Sequence, residues 1–331
     1  MFLVILDYYE VLNTLDEFKK RTVCIFNFKD MIKISVITSV YKGIEYIESF
    51  FCNFLQIDNI SEVELVMVLN EPTREEINIV TEYKKRISHF IVIEVNRESL
   101  YASWNRAIKL SHGKYLAMWS IDDCRTPESL SAQSNILDKN PTYLIATGNY
   151  YKIFKYGDTK GFLKKDSALK KDVNGYTQFR NGCFLMWKKE LHDYIGYFDE
   201  QFKISGDSEF YMRAMYNGYK VVSTNSLLGY FLRESNKGLS KQKSKEKERA
   251  WEHQIISMRY EKIFIFNIIN YYRTNKIKKT HILNFGIYHS IRIRKSNLLS
   301  LLLSTILFWF PDLKKKLVEC LFCYRKYMSC S

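Results

Sequence analysis

From Ile34 onward the apolar positions fall into two alternating rhythms. Continuous apolar runs at Ile34 to Thr38, Glu64 to Leu69, Phe90 to Val95 and Tyr115 to Trp119 predict short buried strands. Between them apolar residues recur at helical spacing: Ile44, Ile47, Phe51, Phe54 and Leu55, then Ile77, Val80, Tyr83 and Ile87, then Leu100, Trp104, Ala107 and Ile108. Gly113 is expected to close the third helix in the left-handed conformation. Strands alternating with helices predict an α/β fold, a parallel sheet covered on both faces. From about Thr142 the alternation stops. Tyr143 to Phe154 and Cys183 to Trp187 predict strands, and the Lys-rich Thr159 to Asp172 segment predicts a loop. Gly206 to Ala214 begins a helix that Gly218 closes, and Lys241 to Arg249 is a charged helical run.

In sheets of this kind ligands sit beyond the carboxyl ends of the strands. Those ends carry Thr38-Ser39-Val40-Tyr41, Asn70-Glu71-Pro72-Thr73, Asn96-Arg97 and Asp122-Asp123. Adjacent carboxylates at the end of a buried strand are costly unless they hold a cation or a polar ligand. Asp122 and Asp123 therefore point to a divalent metal, and a metal beside an α/β sheet commonly handles phosphate. A solvated turn is the plain alternative, since Asp favours turns. Asp207 and Glu209 occupy a first helical turn, where acids are favoured by the helix dipole even without chemistry. No glycine fingerprint for dinucleotides, no G-x-x-x-x-G-K-[ST] loop, no H-E-x-x-H and no G-x-S-x-G occur.

The 331 residues are 47% hydrophobic, enough for a large domain and an appendage, and 4 prolines and 13 glycines argue against disorder. The 7 cysteines are odd in number and scattered, so a disulfide framework is not expected. Cys320 and Cys323 have C-x-x-C spacing but lack the further ligands that zinc requires. The net charge of +14 is concentrated: residues 241–331 carry 19 Lys and Arg against 6 Asp and Glu, and the first 240 residues carry 31 against 30. Asn297 to Phe310 is apolar and too short to span a bilayer, with Arg292, Arg294 and Lys295 before it and Lys314, Lys315 and Lys316 after. An interfacial helix on anionic lipid fits this pattern; a buried packing helix is the alternative. No nucleic-acid recognition module is visible, so nucleic acid is not expected as a partner. Residues 1–30 read either as an extension from an upstream start or as an extra helix.

Four segments together resemble the inverting, metal-dependent glycosyltransferases of the GT-A fold, family two, over roughly Ile32 to Ser240. They are Ile34 to Tyr41, similar to the opening strand and donor-base loop; Ser99 to Gly113 with Asn105; Ser120-Ile121-Asp122-Asp123, similar to the D-x-D region; and Gly206 to Arg213, similar to the acidic motif that supplies the base. The resemblance implies a Rossmann-like nucleotide-sugar-binding domain over 31–240; beyond it the charge and apolar pattern predicts a basic, mainly helical, membrane-associating tail over 241–331. It implies donor contacts from Thr38, Val40, Tyr41, Asn70, Glu71, Asn96, Asn105 and Asp122, and a manganese or magnesium ion on Asp122 and Asp123. Asp207 is then the general base, with acceptor contacts from Asn181, Gly182 and Glu209. The expected donor is a UDP-sugar. The expected acceptor is a hydroxyl of a lipid-linked surface glycan, met at the inner face of a bacterial plasma membrane. Departures exist: Ser120 stands where many relatives have an aspartate, Asn70 replaces an aspartate after the second strand, and Gly206 replaces an acid. Arg233-Glu234-Ser235 occupies the region where many relatives carry a histidine. A non-catalytic binding protein of the same fold and a nucleotidyltransferase are the rival readings.

Overall fold

The computed structural model describes residues 32–166, 183–233 and 246–260. Of these, the residues up to Leu191 and Lys220–Arg233 form one compact unit, and His192–Tyr219 with Glu246–Tyr260 form a second.

The first unit is built on a mixed sheet. Strands β1 (Ile34–Val40), β2 (Val63–Asn70), β3 (Phe90–Val95) and β4 (Tyr115–Met118) are parallel and lie in the order β3-β2-β1-β4. Helices α1 (Ile47–Phe54), α2 (Arg74–Lys84) and α3 (Leu100–Leu110) connect them. These follow the apolar runs and helical stripes of the sequence. Strand side chains alternate between faces: Ile34, Val36, Leu65, Met67, Tyr115 and Ala117 join Phe50, Phe51 and Phe54 of α1 and Val80 and Tyr83 of α2 in one core. Helix α3 packs on β1 and β2. Beyond β4 the sheet continues through β8 (Met186–Lys188), β6 (Tyr143–Ile153) and β9 (Lys220–Leu232) to β5 (Cys124–Arg125), with β7 (Phe162–Lys164) paired to β6. β4–β8 and β8–β6 are antiparallel, whereas β6–β9 is parallel. Helix α4 (Ser129–Lys139) adds Leu130 and Leu137 to the same core, and α5 (Leu191–Ile195) follows β8.

Two expectations are corrected. Gly113 is not in the left-handed region; α3 ends on Ser111 in extended geometry. Glycine is required at 113 because a Cβ there would lie 2.6 Å from the Ser35 backbone nitrogen. That close approach lets the Gly113 N–H donate to Ser35 Oγ at 2.8 Å. The Thr159 to Asp172 loop contains strand β7, and only its residues up to Asp166 are among those described. Glu246–Tyr260, read as tail, groups with His192–Tyr219 in one compact unit.

The second unit contains α6 (Gly206–Tyr216) and α7 (Glu246–Tyr260). As the sequence predicts, Gly218 follows α6 with φ +88, and its N–H bonds the Met215 carbonyl.

Candidate active site

The four parallel strands end on the predicted polar segments. After β1, Tyr41 is 36% exposed, with the Arg97 guanidinium 3.7 Å from its ring centroid and Lys42 Nζ at 5.4 Å. Gly43 allows this loop to lie against the acidic turn: a Cβ at 43 would come within 2.2 Å of Ile121 Cδ1. Its N–H is held by Glu76 Oε1 at 2.6 Å, and the same carboxylate closes the capping box of α2 with Thr73. The structure thus brings Tyr41, Arg97 and the turn at 120–123 to one edge. Arg97 was legible only as a polar strand end; its stacking on Tyr41 is a tertiary contact without a local signal.

The turn bearing Asp122 and Asp123 is anchored from several directions. Asp123 N–H bonds the Ser120 carbonyl at 3.1 Å, and Trp119 Nε1 donates to the Asp123 carbonyl at 2.9 Å. Asp123 is 4% exposed and its Oδ1 accepts the Leu232 N–H at 3.1 Å, so its carboxylate is tied to the end of β9. Asp122 is half-buried. Behind them lies Arg125, 2% exposed, which donates to Gln133 Oε1 and to the Met118 carbonyl, both at 2.9 Å. Gln133 donates in turn to the Ala146 and Phe184 carbonyls. Asn53 of α1 accepts from the Arg125 N–H and donates to its carbonyl, at 2.7 and 3.0 Å. Burial pulls the Arg125 pKa down to about 9, with Asp123 and Cys183 acting in the opposite direction. Arg125 therefore stays charged at neutral pH. Burial pushes the Cys183, Tyr150 and Tyr156 pKa values up, keeping those groups neutral there.

The remaining donor candidates divide by accessibility. Thr38 is fully buried and its Oγ1 finds no hydrogen-bond partner among the described residues. Val40 is 1% exposed and packs in the core. Glu71 and Asn96 are exposed, with Glu71 at φ 55 and its N–H on the Val95 carbonyl at 2.8 Å. Asn105 is 4% exposed within α3. Asn70, expected at the donor, has its side-chain amide engaged within the fold. Its Nδ2 donates to the Glu98 carbonyl and to Ser103 Oγ, and its Oδ1 accepts the Glu98 N–H, so the amide joins β2 to the loop before α3.

In the second unit, Asp207 is half-buried in the first turn of α6 and its Oδ1 accepts the Ser208 N–H at 2.8 Å. Glu209, expected at the acceptor, is a buried acid paired within the second unit. It is fully buried, forms an ion pair with Arg213 at 2.6 Å and accepts the Tyr260 hydroxyl. Arg213 also donates to the Ile195 carbonyl at 2.6 Å. Asn181 and Gly182 lie outside the described residues.

Among the described residues no three His, Cys, Asp or Glu side chains gather into a metal cage. The acidic turn is the place where oxygen ligands are grouped, and a hard divalent ion that keeps waters and takes substrate phosphates needs no closed protein cage.

This geometry, a parallel half-sheet whose carboxyl edge carries an acidic turn beside the first-strand loop, agrees with the comparisons to known proteins. Residues 35–198 match the family model described as glycosyl transferase family 2. The chain carries a glycosyl transferase family 2 domain. An uncharacterized glycosyltransferase of Methanocaldococcus jannaschii is 22% identical over 254 residues, 72% of this chain and 87% of that protein. One of Rickettsia typhi is 25% identical over 188 residues, 54% of this chain and 58% of the relative. Among solved structures, residues 1–349 of S. aureus TarS in complex with UDP-GlcNAc superpose with a TM-score of 0.56 at 18% identity, covering 76% of this chain and 69% of that one. TarS 1–349 without that ligand gives 0.53 at 19% identity, over 76% and 68%. At this identity the likeness is one of fold, and it makes the sheet of this glycosyltransferase a GT-A sheet.

Proposed function

We propose that this glycosyltransferase moves a sugar from a UDP-linked donor to a hydroxyl of a lipid-linked glycan, with inversion at the anomeric carbon. The observation that carries the reading is the acidic turn at 120–123, held against the Tyr41 loop at the carboxyl edge of a family 2 sheet. The TarS complex with UDP-GlcNAc supports the nucleotide class.

The donor's nucleotide is assigned to the β1 edge, where Tyr41 offers a ring face and Arg97 and Lys42 offer positive charge. Asp122 is the first carboxylate for a manganese or magnesium ion, with Asp123, already holding the Leu232 N–H, the second. Such an ion, when bound, neutralises charge developing on the diphosphate leaving group. Asp207 takes the proton of the acceptor hydroxyl, which is a weak nucleophile at neutral pH. The tail's basic charge and the apolar stretch at Asn297 to Phe310, outside the described residues, support peripheral attachment to an anionic cytoplasmic leaflet.

The test is hydrolysis and transfer across a panel of nucleotide sugars, with and without manganese. Wild type is expected to use a UDP-sugar in a metal-dependent way. Asp122→Asn is expected to lose most activity. Asp207→Asn is expected to lower kcat by roughly a hundredfold while donor KM changes little. Undiminished turnover in chelator-treated protein removes the metal from the mechanism, and wild-type turnover in Asp207→Asn removes the base.

A further inference from the structure

Helix α7 lies beyond the family-matched segment, yet the buried polar groups described on it, Glu252 and Tyr260, reach toward α6 or the loop before it. Glu252 is 2% exposed and accepts three successive backbone N–H groups, from Lys203 at 2.6 Å, Ile204 at 3.0 Å and Ser205 at 2.7 Å. Ser205 is the N-cap of α6 and makes no side-chain cap of its own. Backbone donors cannot rotate away as side chains do, so a carboxylate shared by three of them fixes the path of 203–205 relative to α7. Eight residues further on, the Tyr260 hydroxyl donates to Glu209 Oε1, whose other oxygen holds Arg213. Lys203 Nζ and Glu248 pair at 2.8 Å on the outside of the same junction.

These contacts grip α6 at its approach and on its buried face. Asp207 sits between them. Residues two apart on a helix point to different sides. Holding Glu209 inward therefore sets the direction in which Asp207 points. We infer that α7 is the positioning element for the Asp207 turn, with Glu252 and Tyr260 as positioning residues for the transfer step. This rests on Asp207 being the base. It assigns a role in turnover to a helix outside residues 35–198.

The experiment uses the full-length chain and the donor identified by the nucleotide-sugar panel, and compares Glu252→Ala, Tyr260→Phe and Asp207→Asn. Glu252→Ala opens a pocket lined by three N–H groups, which sodium formate can enter. The expected result is a fall in kcat of about tenfold or more, the scale of a small misplacement of a reacting group, with donor KM within about twofold of wild type. Formate restores part of that kcat in Glu252→Ala and none in Asp207→Asn. Tyr260→Phe, the milder change, is expected to lower kcat with donor KM unchanged. It decides the matter if Glu252→Ala does not fold. Wild-type kcat in both α7 variants while Asp207→Asn is impaired overturns the role of α7 and leaves the base intact. A kcat loss in Glu252→Ala that formate leaves unchanged, with Tyr260→Phe at wild-type kcat, also overturns it. Wild-type kcat in Asp207→Asn overturns the base itself.

Discussion

Arg125 carries a charge two residues from the acid pair and is almost excluded from water. A buried cation persists where its donors are satisfied and an opposite charge lies near. Here Gln133 and the Met118 carbonyl accept from its two terminal nitrogens and Asp123 supplies the opposite field, while Nε finds no hydrogen-bond partner among the described residues. The fork matters as much as the charge, because two acceptors on different elements are served by one planar group. Arg125→Met leaves Gln133 Oε1 and the Met118 carbonyl without this donor. It is expected to cost roughly 2–4 kcal/mol in urea unfolding. Arg125→Lys is expected to recover only a minor part, since a single ammonium on a flexible stem does not reproduce the fork. Full recovery by Lys in the same titration would show that charge alone is what the site needs. The acid pair was legible as two adjacent carboxylates after a buried strand. Its anchoring was not, because Asn53 and Leu232 are remote in sequence and neither they nor the nearer Gln133 is unusual in its own neighbourhood.

At the level of elements, β1, β2, β4 and α1 to α3 were legible because each is buried on one stripe or on both faces, which writes a continuous or 3.6-residue pattern, and β3, only part-buried, was legible because it keeps its apolar run. β9 was not: Ser223, Thr224, Asn225 and Ser226 interrupt its apolar residues, and Asn225 takes φ 58 where the β6 register shifts. Helix α4 was missed for a related reason, since Ser129, Ser131, Gln133, Ser134 and Asn135 dilute its stripe. Its C-terminal turn is nonetheless tied down by charge. Asp138 accepts from Lys114 at 2.8 Å and from Tyr115, and pairs with Lys33 at 3.0 Å, joining α4 to the starts of β1 and β4. Burial pushes the Asp138 carboxyl up, but the bonds from Lys114, Tyr115 and Lys33 outweigh it and hold it below the ordinary value. For a depressed carboxyl the stabilisation is fully present above the unfolded pKa, near 4, and is lost as pH falls through the folded one. With the side chain 37% exposed, solvent screening keeps the effect small. Asp138→Asn is expected to lower stability by about 1 kcal/mol at pH 7. The gap from wild type narrows as the pH is taken below about 4. A gap that stays constant to the lowest accessible pH would assign the loss to packing.

For the whole molecule, catalysis and attachment are expected to separate at residue 260 and not at 240. Residues 261–331 hold 13 Lys and Arg against 3 Asp and Glu, and each basic residue near an anionic surface contributes on the order of 1 kcal/mol, screened by salt. Among the described residues no helix is long and apolar enough to cross a membrane. The full chain is expected to sediment with anionic vesicles more than with neutral ones, and less at high salt. A chain ending at Tyr260 is expected to lose that binding and keep donor turnover. One ending at Ser240 is expected to lose turnover as well, because Glu252 and Tyr260 go with it. Equal vesicle binding by the full chain and the chain ending at Tyr260 would place the lipid contact elsewhere.

The return of the chain to its first sheet has a consequence for how the protein is made. β9 pairs along β6 and supplies the Leu232 N–H to Asp123, a contact spanning 109 positions of sequence. During vectorial synthesis β1 to β3 can pair in turn as they emerge, each after one helix, and β4 then pairs back onto β1. The acidic turn cannot take its final form until Leu232 has left the ribosome. Closing so long a loop before any contact rewards it makes this the slow step. Until then the edge of β6 that β9 will cover stays open, and that edge is where the nascent chain is most exposed to pairing with another copy of itself.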